Sequence, residues 1–275
     1  SEAIDIINDR YEAHLNLANL YILKGEIINA KNILLNYINK IKLDEKIVNL
    51  LGQICINYNF DSDLKKIITN IESTKKSNIN FYFIFYLYAK FLEDKIEIND
   101  AIYYYEKSIK LKNNFFDSYL KILNLLESTN KLDKFKLYLY KSFKKFNTKK
   151  EINIISFYNS VYLNRVKRYQ QSEAVILEHN LNLNLANNNY FYLRLLDIQY
   201  KNNEKIGNYK KAFKTVEKKN NITLNLKENK SFSSNTISNT IAKYKLFYNN
   251  KNIKDISSRL KYEKFNNLVF LVGFQ

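Results

Sequence analysis

Only two histidines (His14 and His179) and one cysteine (Cys55) stand beside 27 carboxylates, of which Glu93, Asp94 and Asp100 form a close group. Nucleophilic catalysis needs a base within hydrogen-bond reach of a Ser or Cys. His14 stands where an amphipathic helix places a large packing residue and reads as a core or rim group. His179, in EHNLNLNLANNN, falls near a helix end and reads as a surface or capping residue. Cys55 takes the place that Tyr21 holds 34 residues earlier and reads as a small buried hydrophobe. Asp100 is expected to cap the helix that follows it. One Cys rules out a disulfide framework and a cysteine-rich zinc site, and two His leave few options for a His-based metal site. No catalytic residue and no metal ligand is assigned. One further signal closes the chain. In NNLVFLVGFQ the apolar run Leu268–Val272 meets Gly273, which predicts a short buried strand. A strand running into Gly opens many phosphate loops, because Gly lets the backbone approach an anion closely. A plain buried strand fits the same residues.

The elements that position these groups follow from composition. In 275 residues there is no Pro, no Trp and only 4 Gly, too little punctuation for a sandwich or barrel of many short strands. Hydrophobic residues make up 46%, enough to bury a core, so long helices are expected. Ser1–Arg10 has acids and no long apolar run, so no secretory signal is read there. Phe81–Leu92 (FYFIFYLYAKFL) is too short to span a bilayer and reads as a buried helix. A cytoplasmic location is expected.

The formal net charge is +17, yet the cations are 39 Lys and only five Arg. Asn, Ile, Lys, Tyr and Phe abound together, as in proteins of A/T-rich genomes. A surface that reads nucleic acid favours Arg, whose planar guanidinium binds phosphates and bases bidentately. The charge is therefore read as lysine on solvated faces rather than as a nucleic-acid site.

Internal periodicity organises the rest. Ala18 is followed by Tyr21, Gly25, Ala30 and Leu34, which predicts two amphipathic helices joined by a turn near Lys24–Gly25. Ala18 and Ala30 would lie where the helices approach. A shift of 34 places Gly52 on Ala18, Leu64 on Ala30 and Ile68 on Leu34. The pairs Ala89/Ala101, Leu123/Phe135 and Ser160/Ser172 continue the register, and NYKKAF, with Ala212, marks a sixth unit. On L-A-N-L-Y (Leu17–Tyr21), Gly25, Ala30, Leu51–Gly52 and A-I-Y-Y-Y-E-K-S (Ala101–Ser108), the chain resembles the tetratricopeptide repeat family over residues 1–222. It lacks the family's Pro after the second helix, and Leu64, Leu123 and Phe135 enlarge positions that are usually small. The resemblance implies an all-α solenoid of five or six units. In the same register Ser1–Ile7 reads as the tail of a second helix, and the absence of Met suggests that Ser1 is not a native start.

Residues 223–265 read as a polar linker with a short helix at Thr236–Tyr248. Residues 266–275 read as an orphan strand, the first of an absent α/β, P-loop-like domain. Repeat array, linker and V-F-L-V-G-F-Q together resemble the tetratricopeptide–sulfotransferase architecture, whose loop G-F-P-R-S-G-T-T cradles the phosphosulfate of 3′-phosphoadenosine-5′-phosphosulfate. Only Gly273 and Phe274 match, and Gln275 replaces the Pro. The resemblance implies a transferase parent using that cofactor, with Gly273 and Phe274 opening its loop and no cofactor held by the residues present. The alternatives are a stand-alone binding or assembly repeat protein and an RNA-binding helical repeat. The last would show paired polar specificity residues at fixed places in each unit, which the units lack.

Stacked helix pairs line a concave face with their first helices. The register puts Asn19, Asn49, Gln53, Tyr86, Lys90 and Asn124 there. Amides and a Lys suit a peptide backbone or carboxylate, and Tyr86 suits an apolar anchor, so a protein or peptide partner is expected.

Overall fold

The computed structural model describes residues 11–74 and 81–225. Among the described residues thirteen helices stand in chain order: α1 (Tyr11–Leu23), α2 (Ile27–Lys40), α3 (Glu45–Asn57), α4 (Asp61–Ser73), α5 (Tyr82–Asp94), α6 (Ile98–Leu111), α7 (Phe116–Ser128), α8 (Leu132–Lys145), α9 (Lys149–Arg165), α10 (Tyr169–Glu178), α11 (Leu181–Asn184), α12 (Asn189–Ile206) and α13 (Tyr209–Asn225). Among the described residues there is no strand. The expected linker core, strand and phosphate loop, with Gly273 and Phe274, lie outside the described residues. The last helix runs to Asn225, three residues past the expected end of the array. Packing divides the chain after Ala212, into Ser1–Ala212 and Phe213–Gln275.

The first unit is an array of helix pairs, and every pair is closed by the same turn. One residue per turn takes the left-handed conformation: Gly25 (φ 78°), Asn59 (58°), Ile96 (64°), Asn130 (53°), Lys167 (62°) and Gly207 (88°). The next residue's N–H then reaches back to the helix. Glu26, Phe60, Glu97, Lys131, Arg168 and Asn208 donate to the carbonyls of Tyr21, Cys55, Leu92, Leu126, Leu163 and Asn203 at 2.7–2.9 Å. These six-to-one bonds satisfy carbonyls that a helix end leaves orphaned. Gly25 and Gly207 adopt this conformation without steric cost. Ile96 does not, since its branched Cβ crowds the backbone at positive φ, and its side chain is 81% exposed. Ile96→Gly is therefore expected to stabilise the array by about 1 kcal/mol, the relief of strain outweighing the added freedom of the unfolded chain. A rise of about 2–4 °C in Tm would show it; an unchanged or lower Tm would mean the turn carries no strain.

The residues that open these second helices, Glu26, Phe60, Glu97, Lys131 and Arg168, carry no side-chain cap. Asp100 does not cap α6, contrary to expectation: Glu97 holds the N-cap position without a side-chain bond, and Asp100 lies in the first turn. Its carboxylate there is favourably placed against the helix dipole.

The crossing residues Ala18, Ala30, Leu64, Ala89, Ala101, Phe135 and Ser160 with Ser172 are 0% exposed, and Leu123 is 1% exposed. The Ser172 hydroxyl donates to the Ser160 carbonyl at 2.8 Å, so a polar pair replaces the alanines in the fifth unit. The enlarged Phe135 is accommodated edge-on against Tyr158 and Tyr162 of α9. Gly52 corrects the expected geometry. A Cβ there would stand 2.2 Å from Ile84 Cδ1, on the first helix of the following unit, rather than against α4.

Side-chain bonds spaced by one repeat staple the second helices together. Lys31 of α2 pairs with Asp63 of α4 at 2.5 Å, Lys107 of α6 with Glu72 of α4, and Lys211 of α13 with Glu173 of α10 at 2.8 Å. The Tyr138 hydroxyl of α8 donates to Glu106 of α6 at 2.7 Å. The backbones of successive first helices, by contrast, lie directly against one another (α1 on α3, α3 on α5, α7 on α9, α9 on α12).

Candidate binding groove

The six residues expected in the groove all fall on first helices: Asn19 on α1, Asn49 and Gln53 on α3, Tyr86 and Lys90 on α5, Asn124 on α7. Asn19, Gln53 and Lys90 are exposed; Asn49, Tyr86 and Asn124 are half-buried. The exposed three share a register place, one residue after the buried crossing positions Ala18, Gly52 and Ala89. They make no hydrogen bond to another described side chain.

Tyr86 is held by rings. Its centroid lies 5.1 Å from Phe115, 5.7 Å from Tyr105 and 6.0 Å from Phe83. Burial, together with the Asp117 and Glu93 carboxylates, raises its pKa and keeps the phenol neutral. Below it, the Tyr105 hydroxyl donates to Glu93 at 2.7 Å and Lys121 donates to the same carboxylate at 3.1 Å. Burial and that bond push the Tyr105 pKa well up. Asn49 Oδ1 is buried without a hydrogen-bond partner among the described residues.

From α7 onward the first-helix face is occupied by the chain itself. Glu127 of α7 accepts from Arg165 of α9 at 3.0 Å through one oxygen, and from Arg194 of α12 through the other. Arg194 donates to the Tyr190 hydroxyl at 2.9 Å, and that hydroxyl donates to Asn124 at 3.3 Å. The Arg194 guanidinium also lies over the rings of Tyr190, Phe157 and Tyr158 at 5.2–5.9 Å. A cleft of about 190 Å³ remains beside this cluster, lined in part by Asn164, Asp197 and Lys201. Asn164 in turn donates to the buried Asn202, which donates to Ser172. The sequence reading missed this cluster apart from Asn124. Its signal lay in the register: Lys201 stands one residue after Tyr200, itself twelve before Ala212, as Asn19 does in the first unit.

The other chemically capable residues have structural surroundings. His14 is 7% exposed, its ring 4.8 Å from that of Tyr37. His179 occupies the C-cap position of α10. Cys55 is fully buried, and burial pushes its thiol up to about 12, so it carries no thiolate at neutral pH. Among the described residues no group of His, Cys, Asp and Glu is placed to hold a metal, and no helix is long and apolar enough to cross a membrane.

No family model matches the chain, and no curated protein does. Among solved structures it is similar to a tetratricopeptide repeat protein from Parabacteroides merdae, with a TM-score of 0.52 and 13% identity over 76% of this chain and 78% of that one. At that identity the likeness is one of fold: the chain is a tetratricopeptide-like array of helix pairs.

Proposed function

We propose that the array is an interaction scaffold that holds an extended polypeptide segment along its first helices, from α1 to α5. The observation that carries this reading is the recurrence of Asn19, Gln53 and Lys90, exposed polar side chains at one register place on three successive first helices. In this reading the amides bond the peptide backbone, Tyr86 offers a rigid apolar anchor, and Lys90 receives a carboxylate. Asn124, already bonded by Tyr190, marks where the open stretch ends. A tetratricopeptide-like fold is consistent with such a role without specifying it.

Selection of a displayed random-peptide library against the full chain tests the proposal. Selected peptides are expected to lose at least about tenfold in affinity with Lys90→Glu and Gln53→Glu, exposed sites where substitution leaves the core intact. Peptides indifferent to both substitutions, or a library yielding no binder, would defeat it.

The run V-F-L-V-G-F-Q supports a finer reading, in which the scaffold serves a sulfotransferase using 3′-phosphoadenosine-5′-phosphosulfate, with Gly273 and Phe274 opening the phosphosulfate loop. It rests on the sequence of those residues alone. Codons for R-S-G-T-T directly after Gln275 would support it, and an unrelated sequence there would remove it.

A further inference from the structure

Lysine is not spread evenly over the second helices. The helices α8 and α13 each carry five lysines against one acid (Asp133 and Glu217), whereas α4 carries two lysines against three acids and α10 has two glutamates and no lysine or arginine. A uniform compositional bias does not produce that contrast. The lysines of α8 also differ in use. Lys31 and Lys107 on other second helices are spent on staples, but Lys134, Lys136, Lys141, Lys144 and Lys145 form no ion pair among the described residues, and all five are exposed. At 100° per residue, the buried Phe135, Tyr138, Leu139 and Ser142 define the inner side of α8. Leu137, Tyr140 and Lys144 then run along the centre of the outer side, with the single acid Asp133 on the same line at the start of the helix. Lys134, Lys141 and Lys145 flank them on one edge, and Lys136 with Phe143 on the other. Leu137 is 49% exposed and Tyr140 58%, with Lys144 lying 4.5 Å over the Tyr140 ring.

We propose that the outer face of α8 docks the protein on an anionic lipid surface. Leu137 and Tyr140 flanked by cations on both edges, with Lys144 following them, match a helix lying in the headgroup plane, its aliphatic and aromatic side chains reaching the acyl boundary and its ammonium groups at the level of the phosphates. Lysine serves there as a point charge, with no need for the bidentate geometry of arginine. A nucleic acid is the poorer match: lysine lacks the bidentate fork that reads phosphates and bases, and Leu137, unlike Tyr140 and Phe143, offers no ring for a base. The face lies on a second helix, so docking is compatible with a peptide held along the first helices, and it stands or falls separately from that reading.

Flotation of the full chain with phosphatidylcholine vesicles, with and without about 30% phosphatidylserine, provides the test. Binding is expected only with the anionic lipid, and is expected to vanish at about 0.5 M salt. Lys134→Glu with Lys141→Glu is expected to weaken it at least about 25-fold, taking fivefold per lysine removed. Leu137→Ser with Tyr140→Ser is expected to weaken it at least about tenfold, with circular dichroism unchanged. Lys65→Glu with Lys66→Glu, an equal change of charge on α4, is expected to stay within about threefold. No binding to anionic vesicles, full binding by the α8 variants, or equal weakening by the α4 variant would each overturn the proposal. So would binding to single-stranded RNA that the α8 charge reversal abolishes while the vesicles stay bare.

Discussion

Gly52→Leu is expected to lower the free energy of unfolding by about 1–3 kcal/mol, through overpacking between α3 and α5. A first carbon on Gly52 meets Ile84 Cδ1 at 2.2 Å, while Ile84 Cγ1 and Leu87 Cδ1 follow at 3.7 Å. The obstacle is thus one terminal methyl. That methyl cannot swing into solvent, because Ile84 is 0% exposed. The helix itself favours the substitution, since Gly in a helix interior costs about 1 kcal/mol relative to Ala. Gly52→Ala sets those two effects against each other, and Ile84→Val removes the obstructing methyl at a cost of about 0.5–1.5 kcal/mol by itself. The double variant Gly52→Ala with Ile84→Val should therefore be more stable than the sum of the single changes predicts. Denaturant midpoints of the four proteins measure the coupling. Strict additivity would mean that the two residues do not share the space between the units.

Gly52 also shows how far the sequence could be read. Its spacing from Ala18 located it as a buried crossing, because small residues recur where helices meet and a repeat fixes their interval. Its neighbour was not legible: whether a small residue admits its own second helix or the next first helix depends on the angle between units, which periodicity does not encode. The turns show a different limit. Gly25 announces its turn, but Ile96 and Lys167 hold the same left-handed place with residues that ordinarily avoid it. The surrounding helices impose a conformation that local preference opposes. In the fifth and sixth units the short helix α11 and the large Tyr200 blur the register, which hid the approach of Arg194 to Glu127, 67 residues away. The side chains expected on the first helices were found on them because that depends on register alone. Their division into an open stretch and an internally bonded stretch depends on long-range contacts that no local pattern carries.

Glu127→Ala is expected to destabilise the chain by about 2 kcal/mol, between the small worth of an exposed ion pair and the larger cost of orphaning a buried charge. The Glu127 side chain is 11% exposed, that of Arg194 26% and that of Arg165 49%, so the substitution leaves one partly buried cation and one mainly wet cation without their shared anion. Burial works against the charge on Arg194, but Glu127, Tyr190 and Tyr158 outweigh it and hold its pKa above the ordinary value. Glu127→Ala removes the first of those compensations and leaves the burial. Since one carboxylate ties α7, α9 and α12 together, and an array of repeats loses stability locally, the loss should be local too. Hydrogen exchange should accelerate in α7, α9 and α12 while α1 to α4 keep their protection. Arg194→Ala should produce the same pattern, and the double variant should cost less than the two together, because each single change already breaks the shared contact. Faster exchange spread evenly over all the helices, or strictly additive costs, would show that the cluster is a surface pair with no part in joining the units.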